Sequence, residues 1–184
     1  MEKLKDYSGK FRPHISWENF SEEIMLDVLK LYRNMFLAVD GFWYLTIKDR
    51  YGDETAMNID LVVWDKFIRY ELKRLTQFFH ITGNDVETLF KAIQVSAWAG
   101  NMDIEIDLKS VNNGIMRVNR CHTLEALVKE GKGREKYFCR KVEQKMFDMY
   151  TRYFNPKMTA NAIKLPPETL DSGICCEWEI ALPQ

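Results

Sequence analysis

The sequence predicts an α+β fold in which N-terminal helices pack on a mainly antiparallel sheet, with a further helix pair before the last strands. Three observations carry this expectation. Apolar residues recur by threes and fours from Ser21 towards Gly100, the period then switches to two from Met102 to Leu108, and Asn113-Gly114 signals a hairpin. Strands and helices do not alternate along the chain, which argues against a doubly wound parallel sheet.

The chain has 184 residues, enough for one domain to bury a core without disulfide or metal staples. A single domain over 1–184 is therefore expected, with an arm at 1–16, a helical part at 21–99, and a hairpin, helices and C-terminal strands over 101–181. In the arm Pro13 forbids helix, and Phe11 and Ile15 are candidates to dock on the body. Ser21 is placed to cap a long core-facing helix carrying Met25, Val28, Leu29, Tyr32, Met35, Phe36, Val39, Trp43 and Ile47, ending near Tyr51-Gly52. Asp53 is placed to cap a second helix, whose two apolar stripes include Met57, Leu61, Trp64, Ile68 and Leu72, and Ala56, Val63 and Phe67.

Thr82-Gly83-Asn84-Asp85 reads as turn and cap for a helix carrying Val86, Leu89, Ile93 and Ala97. Met102, Ile104, Ile106 and Leu108 alternate with charged residues as a strand, and Ile115 to Arg120 returns as its partner. A weak helical pattern over Thr123–Lys129 and a clearer one over Arg134–Tyr153 are separated by Gly131 and Gly133. Asn155-Pro156 stops the latter, Met158–Lys164 reads as a strand, Pro166-Pro167 as a turn, and Ile174–Ala181 as the last strand.

Lys plus Arg number 26 and Asp plus Glu 27, so no net field draws in a polyanion, and nucleic acid is not an expected partner. The first ten residues lack the apolar run of a signal peptide, and no stretch approaches the ~20 apolar residues of a membrane span. A cytoplasmic location with four reduced cysteines is expected. There is no phosphate-binding Gly-rich loop, G-x-G-x-x-G, G-x-S-x-G or H-E-x-x-H motif, so the common nucleotide, hydrolase and zinc-protease signatures are missing.

Two sets of residues remain as chemical candidates. Cys139 falls on the arc of Val142, Met146 and Tyr150, Cys121 ends the hairpin, and strand alternation allows one of Cys175 and Cys176 to join them, with Cys176 favoured by its apolar company. With His122 as a nitrogen donor, Cys121, Cys139 and Cys176 have the ligand types that zinc prefers, against the competing reading that buried cysteine acts as a small hydrophobe. The second set is acidic: helical phase places Asp60 and Glu71 between the two apolar stripes, where a carboxylate needs a donor, with Arg74 as the local partner of Glu71. Asp40 borders the apolar arc beside Phe36 and Trp43, and Gly41 leaves space for a ligand between the first two helices. Asp40, Trp43, Asp60, Trp64 and Glu71 thus form a candidate ligand-binding set, although aromatics such as Trp43, Tyr44, Trp64, Phe78 and Phe79 at helical spacing usually form core. The charges from Lys129 to Lys145, including Glu130, Glu135 and Glu143, read as a solvated face.

The runs Asp40-Gly41-Phe42-Trp43-Tyr44, Tyr51-Gly52-Asp53-Glu54-Thr55-Ala56 and Asp60-Leu61-Val62-Val63-Trp64 are followed by Arg120-Cys121, Cys139, Phe154-Asn155-Pro156 and Cys175-Cys176-Glu177-Trp178. Together they resemble a prokaryotic domain-of-unknown-function family allied to the aminothiazoline-carboxylate hydrolase-like proteins. The resemblance implies a cytosolic α+β module that hydrolyses or binds a small molecule, with Cys121, Cys139 and Cys175-Cys176 at positions the family uses.

The leading expectation is a domain that binds a small molecule or a metal where the hairpin end, the Cys139 helix and the last strand meet. Its rival is a cysteine-dependent hydrolase of a small amide or thiazoline-like ring, with Cys121 or Cys139 as nucleophile and His122 as base. A third reading is a scaffold or dimerisation module, for which a homo-oligomer is the expected state.

Overall fold

Ser21 opens the first helix as its position suggests: its hydroxyl accepts the Ile24 N–H at 3.3 Å, and α1 runs from Glu22 to Tyr51. The computed structural model describes residues 3–168 and 173–183, so Met1 and Glu2 of the expected arm lie outside it. Gly52, at φ +86°, turns the chain straight into α2 (Asp53–Phe78), a conformation that a side chain would strain. Gly52 therefore takes the cap position expected of Asp53, whose carboxylate is engaged elsewhere. The two helices fold against each other, with the Phe36 ring 6.3 Å from Trp64 and 5.0 Å from Phe67.

The expectation of a core-facing α1 needs correction. Only Tyr44 of α1 is buried; Phe36 and Ile47 turn inward, but Met25, Leu29, Tyr32, Met35, Val39 and Trp43 stay exposed. The helix is apolar around more of its circumference than the body covers. Phe11, Phe78 and Phe79 are also exposed rather than docked or in the core. Just after the arm, in a short helical turn at Trp17–Asn19, the Trp17 ring meets Tyr32 of α1 at 6.1 Å.

Asp85 caps α3 (Val86–Val95) by accepting the Thr88 N–H at 2.8 Å, and α3 ends at Ser96, one turn short of Gly100. Strand β1 (Asp103–Ser110) pairs antiparallel with β2 (Asn113–Arg120). The turn lies at Val111-Asn112, two residues before the Asn113-Gly114 expected to form it. Gly114 answers to packing instead: a Cβ there would stand 2.5 Å from the Phe90 ring and 3.2 Å from the Asp107 carbonyl.

Helices α4 (His122–Glu130) and α5 (Phe138–Phe154) follow, with Arg134–Lys136 forming a separate short turn where α5 was expected to begin. Strands β3 (Thr159–Lys164) and β4 (Cys176–Ala181) complete an antiparallel sheet of order β1-β2-β4-β3. One face of that sheet, through Met116, Val118, Ala160, Trp178 and Ile180, joins Leu89, Ile93, Phe147 and Tyr150 in the main core. On the other face Arg117 meets Glu177 at 2.6 Å and Glu105 at 3.8 Å. A second core cluster gathers Tyr44, Ala56, Met57, Leu61, Leu127, Phe138 and Val142. The fold is α+β, and among the described residues no helix is long and apolar enough to cross a membrane.

Candidate functional site

Helical phase brings Asp40 on α1, Asp60 and Trp64 on α2, and Cys139, Glu143 and Tyr150 on α5 to one place. These residues line an inner cavity of about 90 Å³. All four cysteines reach its wall, and Trp98, Phe138 and Phe147 provide an aromatic lining. The cysteine set and the acidic set, read separately in the sequence, therefore share one cavity. An outer cavity of about 400 Å³ shares Leu37, Asp40, Asp60, Thr123 and Phe138 with it, and is further lined by Gly41, Tyr44, His122, Glu130 and Arg134. The outer volume lies within the range of small-ligand pockets. Nothing stands within 4 Å of where a Gly41 side chain would begin, which agrees with the space expected there.

Lys, Arg and His are absent from the wall of the inner cavity among the described residues, so its carboxyls face one another without a counter-charge. Burial pushes Asp60 up to about 7, the charges of Asp40 and Glu143 adding to the effect while a hydrogen bond from Trp64 opposes it. Burial likewise lifts Asp40 to about 6, again against a Trp64 hydrogen bond. Glu143 rises to about 7, first by burial and then by the charge of Asp40. Asp60 Oδ1 is buried without a hydrogen-bond partner, an uncommon condition for a carboxylate oxygen.

Glu71 is buried as its phase predicts, but it stands behind the cavity wall. Its carboxylate accepts the Ala97 N–H at 2.7 Å and the Tyr150 O–H at 3.0 Å, and the Trp98 indole donates to Tyr150 at 2.7 Å. Glu71 thus positions Tyr150 and Trp98. Arg74, the expected partner, lies over the Tyr70 ring instead. Trp43 remains exposed and lines neither cavity.

The model of a family of unknown function, DUF6125, matches residues 18–182. The chain belongs to that family. The match carries no link to the aminothiazoline-carboxylate hydrolase-like proteins. No curated protein and no solved structure matches the chain.

In this DUF6125 member the thiols are held protonated. Burial pushes Cys121 up to about 12, and it moves Cys139 and Cys176 higher still, with the charge of Glu143 adding at all three. Cys175 is raised as well. Thiolate catalysis needs the opposite shift. His122 lines the outer cavity, where its Nδ1 lies 3.3 Å from Glu125, and it is absent from the inner wall. Among the described residues no three His, Cys, Asp or Glu side chains are arranged to hold a metal ion. Cys121 has a structural task too: as N-cap of α4, its sulfur accepts the Leu124 N–H at 3.5 Å.

Both members of the vicinal pair reach the cavity, whereas strand alternation admits only one. Cys175 sits in a bend before β4 begins at Cys176, so the alternation does not apply to it. Glu143, expected on a solvated face, instead lines the cavity, where its charge adds to the effect of burial on Asp60 and three of the cysteines. Its position four residues after Cys139 and three before Met146 carried the signal.

The outer cavity has its own electrostatic anchor, which sequence reasoning missed. Arg134 is buried, its Nε 2.9 Å from Asp53 and an Nη 2.9 Å from Glu130, and its guanidinium lies over the Tyr44 ring at 4.7 Å. Asp53 also accepts the hydroxyls of Tyr44 and Tyr137, each at 2.9 Å, and Lys48 bonds Glu130. This knot ties the start of α2 and the end of α1 to the α4–α5 connection.

Proposed function

We propose that this protein binds a small organic cation, with its ammonium or amidinium group among Asp40, Asp60 and Glu143 and its apolar body against Trp64, Phe138 and the neighbouring wall. The observation that carries the reading is the convergence of buried Asp60 and half-buried Asp40 and Glu143 on a cavity whose wall, among the described residues, offers no cation, with Asp60 Oδ1 unpaired. A cation there removes the mutual repulsion and returns the carboxyls to their ionised form, so binding releases protons near neutral pH. Trp64 and the other rings add the attraction of an aromatic face for a cation. The cytoplasm is the proposed location, since the thiols of Cys121, Cys139 and Cys176, outside any disulfide, persist in a reducing compartment.

Phenethylamine and its uncharged counterpart 2-phenylethanol make the test. The amine is expected to raise the melting temperature, by several degrees once it exceeds its Kd about a hundredfold. The alcohol is expected to do little, and Asp60→Asn to remove the amine's effect. Equal shifts from amine and alcohol, or none from either, would sink the reading.

A hydrolytic role is supported by Asp60 and Glu143 lining one cavity, where burial raises both carboxyls towards neutrality. On a thiazoline-like ring one carboxylate would take a proton from attacking water while a carboxylic acid gave one to the departing nitrogen. The thiols, held protonated, would serve as wall. Chromatographic assay of 2-aminothiazoline-4-carboxylate for ring opening tests this role, and no turnover with intact amine binding would leave a binding protein.

A further inference from the structure

We infer that α1 is the seam of a homodimer, in which the outward face of α1 packs on the same face of a second copy. Met25, Val28, Tyr32, Met35, Val39, Phe42 and Thr46 follow one another at spacings of three and four in strict alternation. That is a heptad pattern, the 3.5-residue period that keeps one stripe facing a partner helix. Within the chain Val28 is half-buried and the Trp17 ring meets Tyr32 edge-on, while the stripe from Met35 to Phe42 is left exposed. Tyr32, Met35, Val39 and Phe42 are 51%, 53%, 66% and 69% exposed, and Leu31, Trp43 and Leu45 flank them, also exposed.

The charged residues of this stretch lie off the stripe. Asp27 and Lys30 pair with each other at 3.1 Å, Asp40 lines the cavities, and the Arg33 guanidinium lies against Gly100. The apolar strip therefore runs from Met25 to Thr46 without a charge, a length of roughly 30 Å at 1.5 Å per residue. Monomeric proteins rarely leave so large an apolar patch in water.

Area and symmetry select a second copy as the occupant. With full side-chain areas of about 150–250 Å², Tyr32, Met35, Val39 and Phe42 offer on the order of 500 Å² per copy. Met25, Leu31, Trp43 and Leu45, exposed by 37%, 52%, 38% and 40%, bring the strip towards the ~800 Å² that one partner buries in a standard-size interface. A partner of different sequence is usually chosen through complementary charge, and this strip presents none. A two-fold pairing needs only a surface that matches itself, which an uncharged heptad face on one long helix does.

Sedimentation equilibrium of the full chain tests this. The wild type is expected at twice the 21.8 kDa of one chain. The double variant Val39→Glu, Phe42→Glu is expected at the monomer mass with an unchanged circular dichroism spectrum, because both side chains are solvent-facing within one chain. Met35→Cys, near the middle of the seam, is expected to form an interchain disulfide under mild oxidation. A wild type that stays monomeric up to about 100 µM, far above working concentrations for a stable dimer, overturns the inference. So does a double variant that remains dimeric. Flotation of a monomeric wild type with phosphatidylcholine–phosphatidylglycerol vesicles, lost in the double variant, would assign the strip to a lipid surface instead.

Discussion

Replacing Glu143 with glutamine should make the protein more stable at alkaline pH while leaving it nearly unchanged in acid. Burial and the charge of Asp40 raise Glu143 from 4.5 to about 7 in the folded state. The folded chain therefore holds a proton that the unfolded chain has lost between those two values, and stability falls as pH rises through that window. At 1.36 kcal/mol per pKa unit, ionising Glu143 lowers stability by about 3 kcal/mol once pH passes 7. Glutamine keeps the shape without the charge, so it removes that loss, and it relieves Asp60 of one repelling neighbour as well. Urea unfolding at about pH 5 and about pH 8 isolates the effect, since any change in packing is common to both. The advantage of the variant over the wild type should grow by about 2–3 kcal/mol between them. Parallel pH profiles would show that Glu143 is not held in an uncompensated acidic cavity, and the electrostatic reasoning would fail with them.

Arg134→Ala should destabilise by about 3–5 kcal/mol in the same assay, because it leaves Asp53 and Glu130 without their buried partner. Arg134→Lys should recover less than half of that, since an ammonium cannot reach both carboxylates in the planar manner of a guanidinium. Gly114→Ala should cost about 1–3 kcal/mol by forcing the Phe90 ring aside, and a neutral result would mean that α3 yields more readily than its packing suggests. In the native protein Cys139 and Cys176 should resist iodoacetamide at about pH 8 and react fully in urea. Mass spectrometry showing a native thiol with an alkylation midpoint below about 8.5 would revive the thiolate hydrolase.

Local chemistry was legible in the sequence. Ser21 and Asp85 were identified as caps because capping involves residues three positions apart, and the alternation from Met102 to Leu108 was sufficient to mark β1. Asp60 and Glu71 were placed correctly as buried carboxyls by their phase on α2. Features set by distant segments were not legible. The hairpin turn moved to Val111-Asn112 because Gly114 is required beneath Phe90, a contact between residues 24 positions apart. Glu143 was hidden by its charged neighbours, although Lys141 and Lys145 project to solvent while it faces the cavity. The apolar arc of α1 announced burial without saying against what, and the sheet and the other helices cover only its Phe36, Tyr44 and Ile47 side.

The edges of the sheet bear on how the protein survives at high concentration. In the order β1-β2-β4-β3, strands β1 and β3 each leave one row of backbone groups without a neighbouring strand among the described residues. Such rows are templates for runaway strand addition between molecules. Along β1 the acidic side chains of Asp103, Glu105 and Asp107 recur at every second position, so a second β1 docking edge to edge would bring carboxylates together. β3 is only six residues long and ends in Lys164, which limits the run that an incoming strand could zip onto. Neutralising β1, with Glu105→Val and Asp107→Val, should leave the fold intact and yield a protein that gathers thioflavin-positive fibres on concentration where the wild type does not.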